Sequence, residues 1–156
     1  MSQLQDRTLQ YYRQQQYQPG WFDLLSVMIN GMLTNAGEQE SQAFLRQMGD
    51  NLASRYPLGD VATVADLETQ INRVLARFNW GFVDLQPSDS AIAIDHLALP
   101  PGDGVMSDRQ WRLALGAVLV GLYARWLRGQ GGSDSVSLSV EETGDSSLRF
   151  HYQVRG

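Results

Sequence analysis

The stretch from Asp108 to Arg128 constrains this chain most. Trp111, Leu115, Val118, Leu119, Leu122 and Trp126 recur at helical spacing on one face. Leu113, Ala117, Val120, Tyr123 and Leu127 make its middle apolar on the remaining sides. A helix that is apolar all round must be enclosed. This one is expected at the centre of the molecule, or with another subunit over its second side. Gly116, Ala117, Gly121 and Ala124 are small enough to admit a second backbone at close range. Arg125 and Arg128 fall where a helix dipole favours cations; Arg109 and Arg112, at the other end, do not.

The rest of the chain must supply that enclosure. Residues 61–78 carry Val61, Val64, Leu67, Ile71, Val74, Leu75 and Phe78 at helical period, with Asp60 or Thr63 as the cap, the latter with Asp66 three residues on. Residues 39–56 repeat the theme with Phe44, Leu45, Met48, Leu52 and Tyr56, and end at Pro57 and Gly59. Trp21–Leu33 has two apolar faces, 21/25/28/32 and 22/25/29/33, and stops near Gly37. Such width means deep burial or a second partner. Residues 1–18 are Gln-rich with a thin stripe of Leu4, Thr8, Tyr11 and Tyr12, broken by Pro19-Gly20. They predict a marginal helix or arm ordered only by docking.

Elsewhere the period is two. Trp80–Leu85 and Ala91–Leu97 flank the turn signal Pro87-Ser88-Asp89-Ser90. Val136, Leu138 and Val140, then Leu148, Phe150, Tyr152 and Val154, alternate with polar residues around Thr143-Gly144-Asp145-Ser146. Gly129-Gln130-Gly131-Gly132-Ser133 is a flexible stop, and Gly102-Asp103-Gly104 a turn. The fold class is therefore α+β: N-terminal helices, a β-hairpin, a long central helix and a C-terminal β-hairpin, the two hairpins joined in one antiparallel sheet on that helix. At 156 residues the expected organisation is an arm over 1–20 and a single α+β domain over 21–156.

Charge and chemistry narrow the function. The net charge of −5 argues against a nucleic-acid binder and against docking on anionic lipid. All twelve basic residues are Arg, and Cys is absent, so Lys Schiff bases, thiolate metal sites and Cys nucleophiles are excluded. The N-terminus lacks a signal-peptide apolar core, and no window is long and apolar enough to span a membrane, so the cytoplasm is expected, with the periplasm the less favoured alternative. Asp95 and His96 are strand neighbours and point to opposite faces, and no catalytic motif or metal-ligand spacing occurs. No catalytic residue, metal or cofactor is expected. The arm combines Tyr11, Tyr12 and Tyr17 with Arg13 and many Gln, a mixture that suits stacking on and hydrogen bonding to a neutral polyol such as a glucan.

The segments Phe78-Asn79-Trp80-Gly81-Phe82-Val83-Asp84-Leu85 and Gly121-Leu122-Tyr123-Ala124-Arg125-Trp126-Leu127 resemble one family, the bacterial cellulose synthase operon protein D family. In that family an Asn-Trp-Gly-aromatic-Val segment follows a helix, and Gly-Leu-Tyr-small-Arg-Trp closes the long helix. The similarity can be followed from about Trp21 to Val154 and is weakest over the first twenty residues. The resemblance implies a non-catalytic accessory protein forming a ring-like octamer, a tetramer of dimers. Two roles come with it: a conduit whose passages near the N-terminal segments take glucan chains, and a cytoplasmic scaffold that works with a proline-rich cellulose-complementing partner to line up synthase complexes.

The residues fit that expectation on their own terms. Excess apolar surface on 21–33 and 108–128 demands subunit contacts, with Trp21, Phe22, Met28 and Gly116 as candidate interface residues. Trp80, Phe82, Tyr123 and Trp126 are candidates for an aromatic groove holding a proline-rich segment, with core packing as the competing role. Asn79, Gly81, Gly121 and Arg125 complete the two motifs. The alternative reading is a small acidic secretion-chaperone-like adaptor that binds an extended client, although its helix-first order fits such chaperones less well.

Overall fold

A computed structural model describes residues 3–102, 104–130 and 137–153. The expectations at Asp103, Gly131–Ser133, Val136 and Val154 lie outside the described residues. Five helices and four strands follow in chain order: α1 (Gln3–Gln16), α2 (Trp21–Ala36), α3 (Glu38–Arg55), α4 (Val64–Phe78), β1 (Phe82–Pro87), β2 (Ala91–Leu97), α5 (Asp108–Gly129), β3 (Ser137–Gly144) and β4 (Ser147–Gln153).

Local chemistry sets the element ends. Thr63 Oγ1 accepts the Asp66 N–H at 3.1 Å and starts α4. Ser107 and Gln110 form a reciprocal capping box that starts α5. Asn79 ends α4 in the left-handed region, φ 61°, a conformation that asparagine tolerates better than most residues. Gly37 ends α2, its N–H donating to the Leu33 carbonyl.

The sheet is antiparallel in the order β1-β2-β4-β3, so the pairing of β2 with β4 joins the two hairpins. Its inner face presents Val83, Leu85, Ile94, Leu148 and Phe150, all buried, against Leu119, Leu122, Tyr123 and Trp126 of α5. The α4 stripe Leu67, Ile71 and Leu75 closes the same core.

The second side of α5 is covered from within the chain. α3 crosses it so closely that a Cβ on Gly121 would collide with the Arg46 carbonyl, and one on Gly49 with the Val118 carbonyl. The backbones meet where each helix offers a glycine, and no larger residue fits either position. This corrects the expectation that 108–128 carries apolar surface for another subunit: Ala114, Leu115, Gly116 and Ala117 are buried within this one. A smaller cluster of Ile29, Leu45, Met106, Trp111, Ala114 and Ala117 joins α2 and α3 to the start of α5.

Candidate functional site

The two motif segments meet at one buried histidine. β1 and β2 pair with Val83 opposite His96, and His96 points inward, fully buried. His96 Nε2 lies 2.6 Å from the Trp80 carbonyl, which can only accept. The proton therefore sits on Nε2, and Nδ1 accepts the hydrogen bond from the Tyr123 hydroxyl. Burial lowers the His96 pKa to about 4, partly opposed by the hydrogen bond to Trp80. Burial also pushes the Tyr123 hydroxyl well above its ordinary range. Near neutral pH neither group exchanges a proton, so the pair ties α5 to the hairpin and offers no acid–base catalyst. Gly81 completes the junction: its φ is 93°, and a Cβ there would collide with the Leu97 carbonyl.

The remaining motif residues are also held by the fold. Trp126 Nε1–H donates to the Tyr56 carbonyl at 2.9 Å. Arg125 and Arg128 reach Asp50 on α3 at 3.7 and 3.1 Å. Trp80 is half-buried with its ring edge-on to Phe78. Of the four candidate groove aromatics, Tyr123 and Trp126 are buried and Phe82 is exposed, so the structure does not bring them together as one groove.

The N-terminal candidates divide. Tyr11 and Tyr12 are exposed, with their rings edge-to-face at 5.6 Å. Tyr17 turns back, donating to Asp23 Oδ1 at 2.6 Å and resting on the Phe22 ring. Arg13 is half-buried beside Leu99, Pro100 and Trp111. The anchor is a residue that sequence reasoning passed over. Gln16, buried, donates through Nε2 to the Ala98 carbonyl at 2.6 Å and to the Asn79 carbonyl at 3.4 Å. Asn79 Nδ2 returns a bond to the Gln15 carbonyl at 3.3 Å. The arm is a helix, and it docks where two left-handed residues, Asn79 and Ala98, leave carbonyls to be met.

α2 carries the exposed apolar face. Its inner stripe is Phe22, Ser26, Ile29 and Leu33. Trp21, Leu24, Leu25 and Met28 form a second stripe at i, i+3, i+4 and i+7, with exposures of 74, 52, 44 and 62%. Of the four candidate interface residues, Trp21 and Met28 share this face. Phe22 packs on Trp111 at 6.0 Å between ring centres, and Gly116 lies against Leu148 inside the molecule. Among the described residues no cluster of three or more His, Asp or Glu could hold a metal, and no helix is long and apolar enough to cross a membrane.

The family model for the D component of cellulose synthase matches residues 7–153. The chain belongs to that family. The match takes in both motif segments and begins inside α1, earlier than the resemblance read from the residues, so most of the N-terminal helix belongs to the family pattern. A protein named cellulose synthase operon protein D from Komagataeibacter xylinus is 35% identical over 101 residues. One of the same name from Komagataeibacter sucrofermentans is likewise 35% identical over 101 residues. Each match covers 63% of this chain and 63% of the relative.

Proposed function

We propose that this protein is a non-catalytic accessory component of bacterial cellulose synthesis, a self-associating scaffold that aligns synthase complexes so that their glucan chains assemble into crystalline ribbons. The stripe of Trp21, Leu24, Leu25 and Met28 carries the reading. Large side chains in a row at helical spacing cost free energy in water and gain about 1–2 kcal/mol each when covered. A chain of net charge −5 does not offer such a face to anionic lipid, and a copy of itself presents the same complementary stripe. Membership of the cellulose synthase family supports this reading over a secretion adaptor. The assembly expected is a closed ring of eight, a tetramer of dimers, in the cytoplasm, working with the synthase complex and a proline-rich partner.

The exposed Tyr11–Tyr12 pair supports direct glucan contact as a second element of the same role, since stacked sugar faces need solvent-facing rings. Replacing both by Ala is expected to abolish binding of cello-oligosaccharides measured by calorimetry while leaving the circular dichroism unchanged; undiminished binding would remove the arm from the glucan path.

The deciding experiment is light scattering on the purified protein and its Met28→Glu variant, with each gene returned to a deletion strain. The variant is expected to keep its fold, fall to a smaller native mass and give disordered cellulose. An unchanged mass would refute the α2 contact, and normal ribbons from the deletion strain would refute the scaffold.

A further inference from the structure

The two edges of the sheet are finished differently. The outer edge of β1 is closed from within. Asn72 on α4 donates through Nδ2 to the Val83 carbonyl at 3.0 Å and accepts the Val83 N–H on Oδ1 at 2.7 Å. Glu68, one turn earlier, accepts the Leu85 N–H at 2.9 Å. β3, at the other edge, pairs with β4 alone, and among the described residues nothing else hydrogen-bonds its backbone. Edge strands are normally blunted by Pro, Lys or inward charges, because unpaired N–H and C=O groups template another strand. Here Glu142, held by Arg109 and Arg112, blunts only the far end, and Leu138–Glu141 contains neither Pro nor Lys.

The inner side of β3 is also incomplete. Leu138 and Val140 stand opposite Tyr152 and Phe150, two buried residues, so they face the core side. Val140 is nevertheless 42% exposed. Below the strand runs an open trough of about 470 Å³ between β3, α3 and α5, lined by Ala43, Gly121 and Ala124 among others. A strand added here would complete the ladder and roof the trough at once.

We propose that the occupant is β3 of a second copy, paired antiparallel about a two-fold axis through Ser139, so that the two four-stranded sheets become one. Opposed residues in an antiparallel pair point to the same side, so a two-fold axis must pass through a residue. An axis at Glu141 or Glu142 sets identical carboxylates face to face, which is repulsive. An axis at Val140 sets Leu138 against Glu142. The axis at Ser139 sets Leu138 of each copy against Val140 of the other, twice, above the trough. It also leaves Glu141 beside its own His151, 3.7 Å away. This contact rests on the self-association reading only for the identity of the occupant, and it uses a different surface from α2.

The chain has no Cys, so one substitution supplies the only thiol. Ser139→Cys is expected to form a covalent dimer under copper-catalysed air oxidation, reversed by dithiothreitol, because the two positions meet on the axis. Glu141→Cys is the register control. Its two thiols would stand about 13 Å apart along the strands, beyond disulfide reach, so cross-linking should be lost. Cross-linking of Ser139→Cys no faster than of Glu141→Cys would overturn the proposal, as would a linked yield that falls with dilution like random collision. Adding Met28→Glu to Ser139→Cys separates the two surfaces. If the α2 contact alone is wrong, the native mass is unmoved and the cross-link persists; if the β3 contact alone is wrong, the mass falls and no cross-link forms with either residue at 28.

Discussion

Helices α2 and α5 both carry more apolar surface than one stripe, and the molecule treats them in opposite ways. α5 is enclosed by its own chain, with the sheet on one side and α3 on the other. α2 buries Phe22 and Ile29 and leaves Trp21, Leu24, Leu25 and Met28 in solvent. The difference lies in side-chain size at the point of approach. Gly121 on α5 has Gly49 as its counterpart, and two backbones meet there. The outer stripe of α2 is made of large residues, and no other part of the described chain lies over it. Apolar width in a sequence therefore says that a helix needs two neighbours, and the small residues say whether one of them is already in the chain.

The sharpest way to break this comparison is to block the crossing. Gly121→Val places two methyl groups where the Arg46 carbonyl already stands, and the loss is expected to be about 3 kcal/mol or more, read as a large drop in the urea midpoint or as insoluble protein. A variant of near-normal stability would mean that α3 is not fixed on α5.

The next effect comes from pH. His96 anchors α5 through Tyr123, and its folded pKa of about 4 lies below the usual histidine value of 6.5. The unfolded chain therefore binds the extra proton between those values. Stability attributable to this group is fully present above pH 6.5, is lost as pH falls toward about 4, and changes no further below that. The full span corresponds to about 3 kcal/mol. Urea midpoints between pH 7 and pH 4 should show this fall, and His96→Gln should flatten the part of it due to this residue. An unaltered slope in that variant would contradict the neutral, doubly bonded imidazole.

The smallest effect on the folded subunit is expected at α2. Met28→Ser, at a position 62% exposed, should leave the unfolding of the dissociated chain within about 0.5 kcal/mol while lowering the native mass of the assembled form. A large loss of stability in the dissociated chain would place Met28 in the core and erase the contrast with α5.

Much of this was written in local periodicity. The alternation at Leu148, Phe150 and Tyr152 specifies β4 and its inner face, and the four-residue spacing of Leu67, Ile71 and Leu75 specifies the buried side of α4. Thr63 announced its own cap. The partner of Gly121 left a fainter trace: Ser41, Leu45, Gly49 and Ala53 are spaced by four, a mostly small series on the buried face of α3. The roles of Gln16, Asn72 and Glu68 left none, because a side chain that meets a backbone group 11 to 82 residues away depends on tertiary placement. The motif residues were recognisable as a pattern, but the reason for the pattern is His96, whose chemistry is visible only once β1 and β2 are in register with α5.

The clasp at Gln16 makes α1 a lever. Every residue from Gln3 to Tyr12 is exposed, and the hydrogen bonds that fix the helix to the body lie at Gln15 and Gln16. With a rise of about 1.5 Å per residue, Leu4 stands roughly 18 Å from that fulcrum. An angular change of about 20° at Asn79 and Ala98 sweeps Leu4 through roughly 6 Å and the tyrosine pair through about a third of that. Where Tyr11 and Tyr12 present their rings is thus decided at the far end of the helix, by two left-handed residues that touch neither of them.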